Sequence, residues 1–168
     1  IDGVNFKMRV DDSVDNVPVL AVIGVTHNGF KTVVGLQSGD KESASSWREF
    51  FKDLKQRGLI TDYVCLGSMN GLPGLETVFK EEFAHTRTQR CQVHVARNVL
   101  AKVPKKLKKE VADEIRSIFY ASSKKKAHQF FRDFEKERQQ DLPSAVKCLG
   151  NSLESCLTYL APGRTPVT

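Results

Sequence analysis

No stretch of this sequence approaches the roughly 18 consecutive apolar residues that a membrane-spanning helix requires. Its first residues lack the basic start and apolar run of a secretory signal. The expectation is therefore a soluble, intracellular protein. The four cysteines, Cys65, Cys91, Cys148 and Cys156, form no CxxC pair, which points to free thiols in a reducing compartment rather than to disulfides. Cys91 and His94 stand three residues apart, but two ligands do not close a tetrahedral zinc site and no second pair matches them. The 11 glycines never assemble into GxGxxG, so a loop that cradles nucleotide phosphates is excluded.

What is present suits a folded domain, alone or with a helical appendage. The chain has 168 residues, 40% of them hydrophobic and 27% charged, enough for a core and unlike a disordered chain. Its net charge is +6, a balance that favours polyanionic partners without proving them. The excess is local: Lys102, Lys105, Lys106, Lys108 and Lys109 lie together with no acid among them, and Lys124, Lys125 and Lys126 form a second group. Solvated helix faces and phosphate contacts are both open readings of these clusters.

The first half alternates strand and helix patterns. Val4, Phe6, Met8 and Val10 alternate with polar residues, the period of a half-buried strand. The apolar run Val17–Val25 predicts a central strand buried on both faces. Asn28-Gly29 favours a tight hairpin into a third strand over Phe30–Leu36. Trp47, Phe50, Phe51 and Leu54 share one helical face, with Gly58 as the stop; that spacing assigns Trp47 to the core rather than to base stacking. A fourth strand is expected over Ile60–Leu66, ending in the turn Gly67–Gly71, and Pro73 opens a second helix. A fifth strand is expected over Thr86–Val93. Asp11, Asp12 and Asp15 read as solvated turn acids and His27 as exposed.

The order β-β-β-α-β-α-β predicts an α/β fold, a mixed five-stranded sheet with flanking helices. Only helices follow, expected over Val95–Lys102, Lys105–Tyr120, Lys124–Gln140 and Pro143–Tyr159, with Phe130, Phe131 and Phe134 on the buried face of the third. The expected division is a core over residues 1–95, lacking its final helix, a helical insertion over 96–160, and an unstructured tail over 161–168.

Several ordered blocks resemble one known family. They are Ile1-Asp2-Gly3, the segment Gly39–Trp47, Asn70-Gly71-Leu72-Pro73-Gly74-Leu75, the segment Gln89–His94, Arg97–Leu100 and Val103–Lys106. Together they resemble the mutator-type transposases of bacterial insertion sequences, in order from Ile1 to about Tyr159. The resemblance implies a ribonuclease H-like domain of the DDE class that cuts DNA at the inverted-repeat ends of an insertion element and joins them to a target. It also implies a cytoplasmic, nucleoid-associated bacterial protein and allows a homodimer. Such chemistry uses carboxylates converging on paired Mg²⁺ ions roughly 3.5–4 Å apart.

By this resemblance Asp2 is the first catalytic and metal-binding position. Asn70 occupies the second, where the family's block reads Asp-Gly-Leu-Pro-Gly-Leu. No Thr-Asn-x-x-Glu-Arg block supplies the third acid, and Glu154 falls in an insertion segment instead. An amide oxygen can ligate a metal but brings no negative charge to hard Mg²⁺. The expectation is a transposase fragment that binds Mg²⁺ weakly and is catalytically incompetent. The lysines from Lys102 to Lys109 are then expected to touch DNA phosphates. A place for Cys91 and His94 beside the active site or DNA, and a purely structural one, both stay open. The alternative reading is a non-catalytic nucleic-acid-binding or dimerisation module derived from a transposase.

Overall fold

The computed structural model describes residues 1–10 and 12–161. The tail expected over 161–168 therefore lies, apart from Ala161, outside the described residues, as does Asp11. Two compact units are present, one over Ile1–Thr88 and one beginning at Gln89.

The first unit opens with an antiparallel meander, β1 (Asp2–Val10), β2 (Ser13–Val25) and β3 (Lys31–Ser38). The β2–β3 turn contains Gly29 at φ 81°, a left-handed conformation that costs glycine little. β1 lies against β2 in a continuous register from Val10↔Ser13 to Asp2↔Ala21. Asp15 belongs to β2, not to the preceding turn.

Helix α1 (Ala44–Gln56) follows, capped by the Ser43 hydroxyl, which accepts from the Ser46 amide at 3.3 Å. Its buried face is Trp47, Phe50, Phe51 and Leu54, and Gly58 at φ 101° follows its end. β2 departs from expectation here. Leu20 and Val22 are buried, while Ile23, Val25, Val33 and Leu36 are exposed. Gly35 on β3 allows the close approach of α1, since a Cβ there would stand 2.7 Å from a Leu54 methyl. The meander is covered on one face, so β2 is not the doubly buried strand that its composition predicts.

The fourth strand is shifted from its expected place. Thr61–Tyr63 forms a 3₁₀ turn, and β4 is Leu66–Met69, inside the segment read as a turn. Gly67 explains the shift: it carries the strand directly against the Phe79 ring, where a Cβ would sit 2.3 Å from Cζ. Helix α2 (Pro73–Glu82) starts at Pro73 as expected and buries Leu75, Val78 and Phe79. Phe51, Phe79 and Phe83 form an aromatic cluster with ring centroids 4.6–5.8 Å apart. β5 is Arg87–Arg90, shorter than expected, and pairs with β4 in a separate two-stranded parallel sheet. The five strands thus form sheets of three and two, not the single sheet expected.

The second unit is helical: α3 (Gln92–Leu100), α4 (Lys108–Phe119), α5 (Lys124–Arg138) and α6 (Pro143–Cys156). α3 begins three residues earlier than its pattern suggests, taking over the end of the expected fifth strand. Its core includes Val95, Val99, Val111, Ile115, Ile118 and Leu149. On α5 the buried stripe is Ala127 and Phe134 with Phe131 packed beside it, whereas Phe130 is exposed, a correction to the expected face. Gly150 on α6 makes room for Phe131, whose Cζ would lie 3.0 Å from a Cβ there.

Candidate functional site

Asp2 opens β1 and Asn70 directly follows β4. The two are 68 residues apart in sequence, yet Asn70 Nδ2 donates to Asp2 Oδ1 at 3.4 Å. Asn70 Oδ1 accepts from the Leu72 amide at 3.2 Å, an Asx-type bond that turns the chain toward Pro73 and α2. Gly71 provides the positive φ, 91°, within that turn. Alongside, the Ile1 amino group donates to the Ser68 carbonyl at 2.8 Å.

A third sequence block packs against this pair. The Lys41 side chain crosses β1 so closely that a Cβ at Gly3 would fall 2.3 Å from Lys41 Cβ. The loop that holds Lys41 is built by its own polar groups. Asp40 Oδ1 accepts from the Glu42 amide at 2.9 Å, and Trp47 Nε1 donates to the Lys41 carbonyl at 2.8 Å. Trp47 is fully buried, so its indole is an anchor for this loop and is not available to stack on a base. The next block also approaches, for a Cβ at Gly74 would touch Ala44 at 3.7 Å. Sequence reading missed Lys41 as a neighbour of the site. The glycine at position 3, beside the acidic residue, was its available signal.

The donor set at this site is one carboxylate and one amide whose oxygen already accepts a backbone N–H. Among the described residues, no group of three or more His, Cys, Asp or Glu is arranged to hold a metal. These residues do not fit a pair of Mg²⁺ ions. Glu154 is engaged on the helical unit, where it pairs with Lys124 at 2.6 Å and His128 at 2.7 Å. The Lys124 ammonium holds its carboxyl below the usual range.

The remaining candidates lie on the helical unit. Cys91 is the residue before α3 and His94 lies within it, both half-buried. Their block also supplies Gln89 and Gln92, whose amides both donate to the Cys156 carbonyl, at 2.7 and 2.9 Å. Gln89 Oε1 accepts from the Tyr159 amide at 3.0 Å. The two glutamines therefore tie the end of α6 to the start of α3. Cys156 is buried, and desolvation pushes its thiol up to about 12, which makes it inert as a nucleophile.

Lys102, Lys105, Lys106, Lys108 and Lys109 are all exposed, in the turn after α3, the 3₁₀ turn Lys105–Leu107 and the start of α4. α4 has no side-chain cap at its N-terminus. Lysines are unfavourable at that end of a helix dipole, so helix stability does not account for them. The second group, Lys124, Lys125 and Lys126, begins α5 and is exposed too.

Residues 1–165 match the family described as "Transposase, Mutator family". The chain belongs to that family. This Mutator-family chain is 31% identical over 159 residues to a transposase for an insertion sequence element of Mycolicibacterium smegmatis, covering 95% of the chain and 48% of that relative. It is also 31% identical over 141 residues to one of Acidithiobacillus ferrooxidans, covering 84% of the chain and 47% of the relative. A third, from Staphylococcus aureus, is 30% identical over 118 residues, covering 70% of the chain and 30% of the relative. The chain thus spans about half the length, or less, of these relatives. No helix among the described residues is long and apolar enough to cross a membrane.

Proposed function

We propose that this chain carries part of the catalytic domain of a DDE-class transposase with a ribonuclease H-like core. In this reading Asp2 and Asn70 stand at the first two acid positions. The observation that carries it is the 3.4 Å contact between the two, made across 68 residues of sequence. The element order β-β-β-α-β-α-β supports the same reading, as does the meeting of the Asp2, Lys41 and Asn70 blocks. The relatives are transposases for insertion sequence elements, and the substrate proposed here is the DNA at such an element's ends.

The chain's own part in this reading is binding without cleavage. Three carboxylates would offset most of the charge of two divalent ions, whereas Asp2 stands alone at the paired positions, and no hydrolytic step is derived through metal. The exposed lysines from Lys102 to Lys109 supply phosphate contacts that carry no base information. Binding to any duplex should therefore fall steeply with salt, with log K changing by about −0.9 per log salt for each phosphate neutralised. Replacing Lys105, Lys106, Lys108 and Lys109 with Gln should flatten the slope, and an unchanged slope would return the cluster to a solvated helix face. Neither Mg²⁺ nor Mn²⁺ should elicit strand cleavage or joining. Cleavage that disappears in Asp2→Ala would overturn this assignment.

A further inference from the structure

The β1–β2 ladder stops at Asp2↔Ala21, but β2 runs on to Val25. On its other side this extension is paired: Ile23 with Val33, Gly24 with Thr32 and Val25 with Lys31. On the β1 side no strand accompanies it among the described residues. Across the gap lies the edge of β4 that does not face β5. Between the two runs an apolar groove of about 810 Å³, lined by Val22, Ile23, Val25, Leu66, Phe79 and, at its mouth, Ile1. Its floor reaches the aromatic cluster, since Phe51 and Phe83 also border it.

We propose that this groove is a strand-acceptor site whose occupant is an extended apolar segment continuous with β1, joined to Ile1 on its N-terminal side in a longer form of the protein. Three observations fix how it enters. The β1–β2 register, carried past Ile1, sets the three preceding positions against Ile23, Gly24 and Val25. Ile1 meets Ser68 and Asp2 meets Asn70, so numbering advances together on the two strands, and the inserted strand runs parallel to β4. Ile1 N donates toward β4, and donors alternate sides along a strand. The second residue before Ile1 therefore donates to the Leu66 carbonyl, while the first donates toward β2.

The energetic case rests on both edges and the floor. An unpaired, flat apolar edge is a template for another strand, and strand addition gains ladder hydrogen bonds while side chains fill adjoining pockets. The inserted strand would have a partner on each side, and its inward side chains would cover Phe79. It would join the three-stranded and two-stranded sheets into one. The curated relatives, of which this chain spans about half, have residues outside the matched region to provide such a segment. This inference does not depend on DNA binding or on metal.

The test compares the chain carrying Val-Thr-Val-Val immediately before Ile1 with the chain carrying Gly-Ser-Gly-Ser there. The β-branched extension should raise Tm by several degrees over the Gly-Ser form. It should slow hydrogen exchange at Ile23, Val25 and Ser68 at least tenfold. A third form with proline as the second residue before Ile1 should lose most of the gain, because that position can no longer donate to Leu66. All three should have the same oligomeric state by light scattering. Equal Tm and exchange in the Val and Gly-Ser forms would overturn the proposal. So would a Gly-Ser form that dimerises with protection at Ile23 and Val25, which would assign the groove to a second copy.

Discussion

The Asn70 amide nitrogen faces the Asp2 carboxylate at 3.4 Å while the Asn70 oxygen is held by the Leu72 amide. Replacing that nitrogen by oxygen brings two anions to hydrogen-bonding distance, which disfavours ionisation of one of them. Asn70→Asp should therefore lower Tm at pH 7 without metal. Millimolar Mn²⁺ should then raise the Tm of the variant and leave the parent nearly unchanged, since ligand stabilisation grows with affinity. Equal metal-induced shifts in the two proteins would remove Asn70 from the proposed metal position. Cleavage activity should not appear in either.

Glu82 joins the two helices of the first unit, accepting from Lys55 and, at 3.0 Å, from Arg48 on α1. Its side chain is 10% exposed, and the Lys55 ammonium lowers its pKa below the ordinary carboxylate value. A depressed carboxyl stabilises the fold above its unfolded pKa, and that contribution is lost as pH falls through the folded value. Glu82→Gln should cost about 1–2 kcal/mol at pH 7. The difference should shrink as pH drops below about 4. Urea unfolding at pH 7 and pH 3 checks both points; a difference that persists undiminished at pH 3 would place the effect in packing.

Gly67 admits the Phe79 ring to the back of β4, and a Cβ would stand 2.3 Å from Cζ. Gly67→Ala should destabilise by about 2 kcal/mol or more through overpacking. Adding Phe79→Leu should recover part of that loss, and the coupling is read from a double-mutant cycle in urea. Additive losses would show that strand and ring are not in the contact described.

Gln89 is buried with both ends of its amide engaged, at the Cys156 carbonyl and the Tyr159 amide. Gln89→Leu leaves the Tyr159 amide without that acceptor and Cys156 with Gln92. It should cost about 1–3 kcal/mol and speed hydrogen exchange at Tyr159. An unchanged exchange rate would deny the glutamine its role as the tie between α3 and the end of α6.

Much of this protein was determined by sequence acting locally. Helix α1 needed only Ser43 as cap, four apolar residues on one face and Gly58 beyond its end. Pro73 set the start of α2, and Asn28-Gly29 set the hairpin. Each signal works within a few residues, so no distant contact is required to read it. The meeting of Asp2 and Asn70 was legible through the blocks that surround them, although periodicity by itself brings no two distant strands together.

Tertiary structure decided the rest. A composition as apolar as Val17–Val25 fits a strand buried on either one face or two, and the placement of α1 left Ile23, Val25, Val33 and Leu36 exposed. β4 formed where Gly67 could pass the Phe79 ring, four residues, 66 to 69, that local turn chemistry assigns elsewhere. The division into sheets of three and two followed from where strands find partners. Side-chain alternation specifies which face a residue takes, whereas pairing depends on which edge arrives beside it.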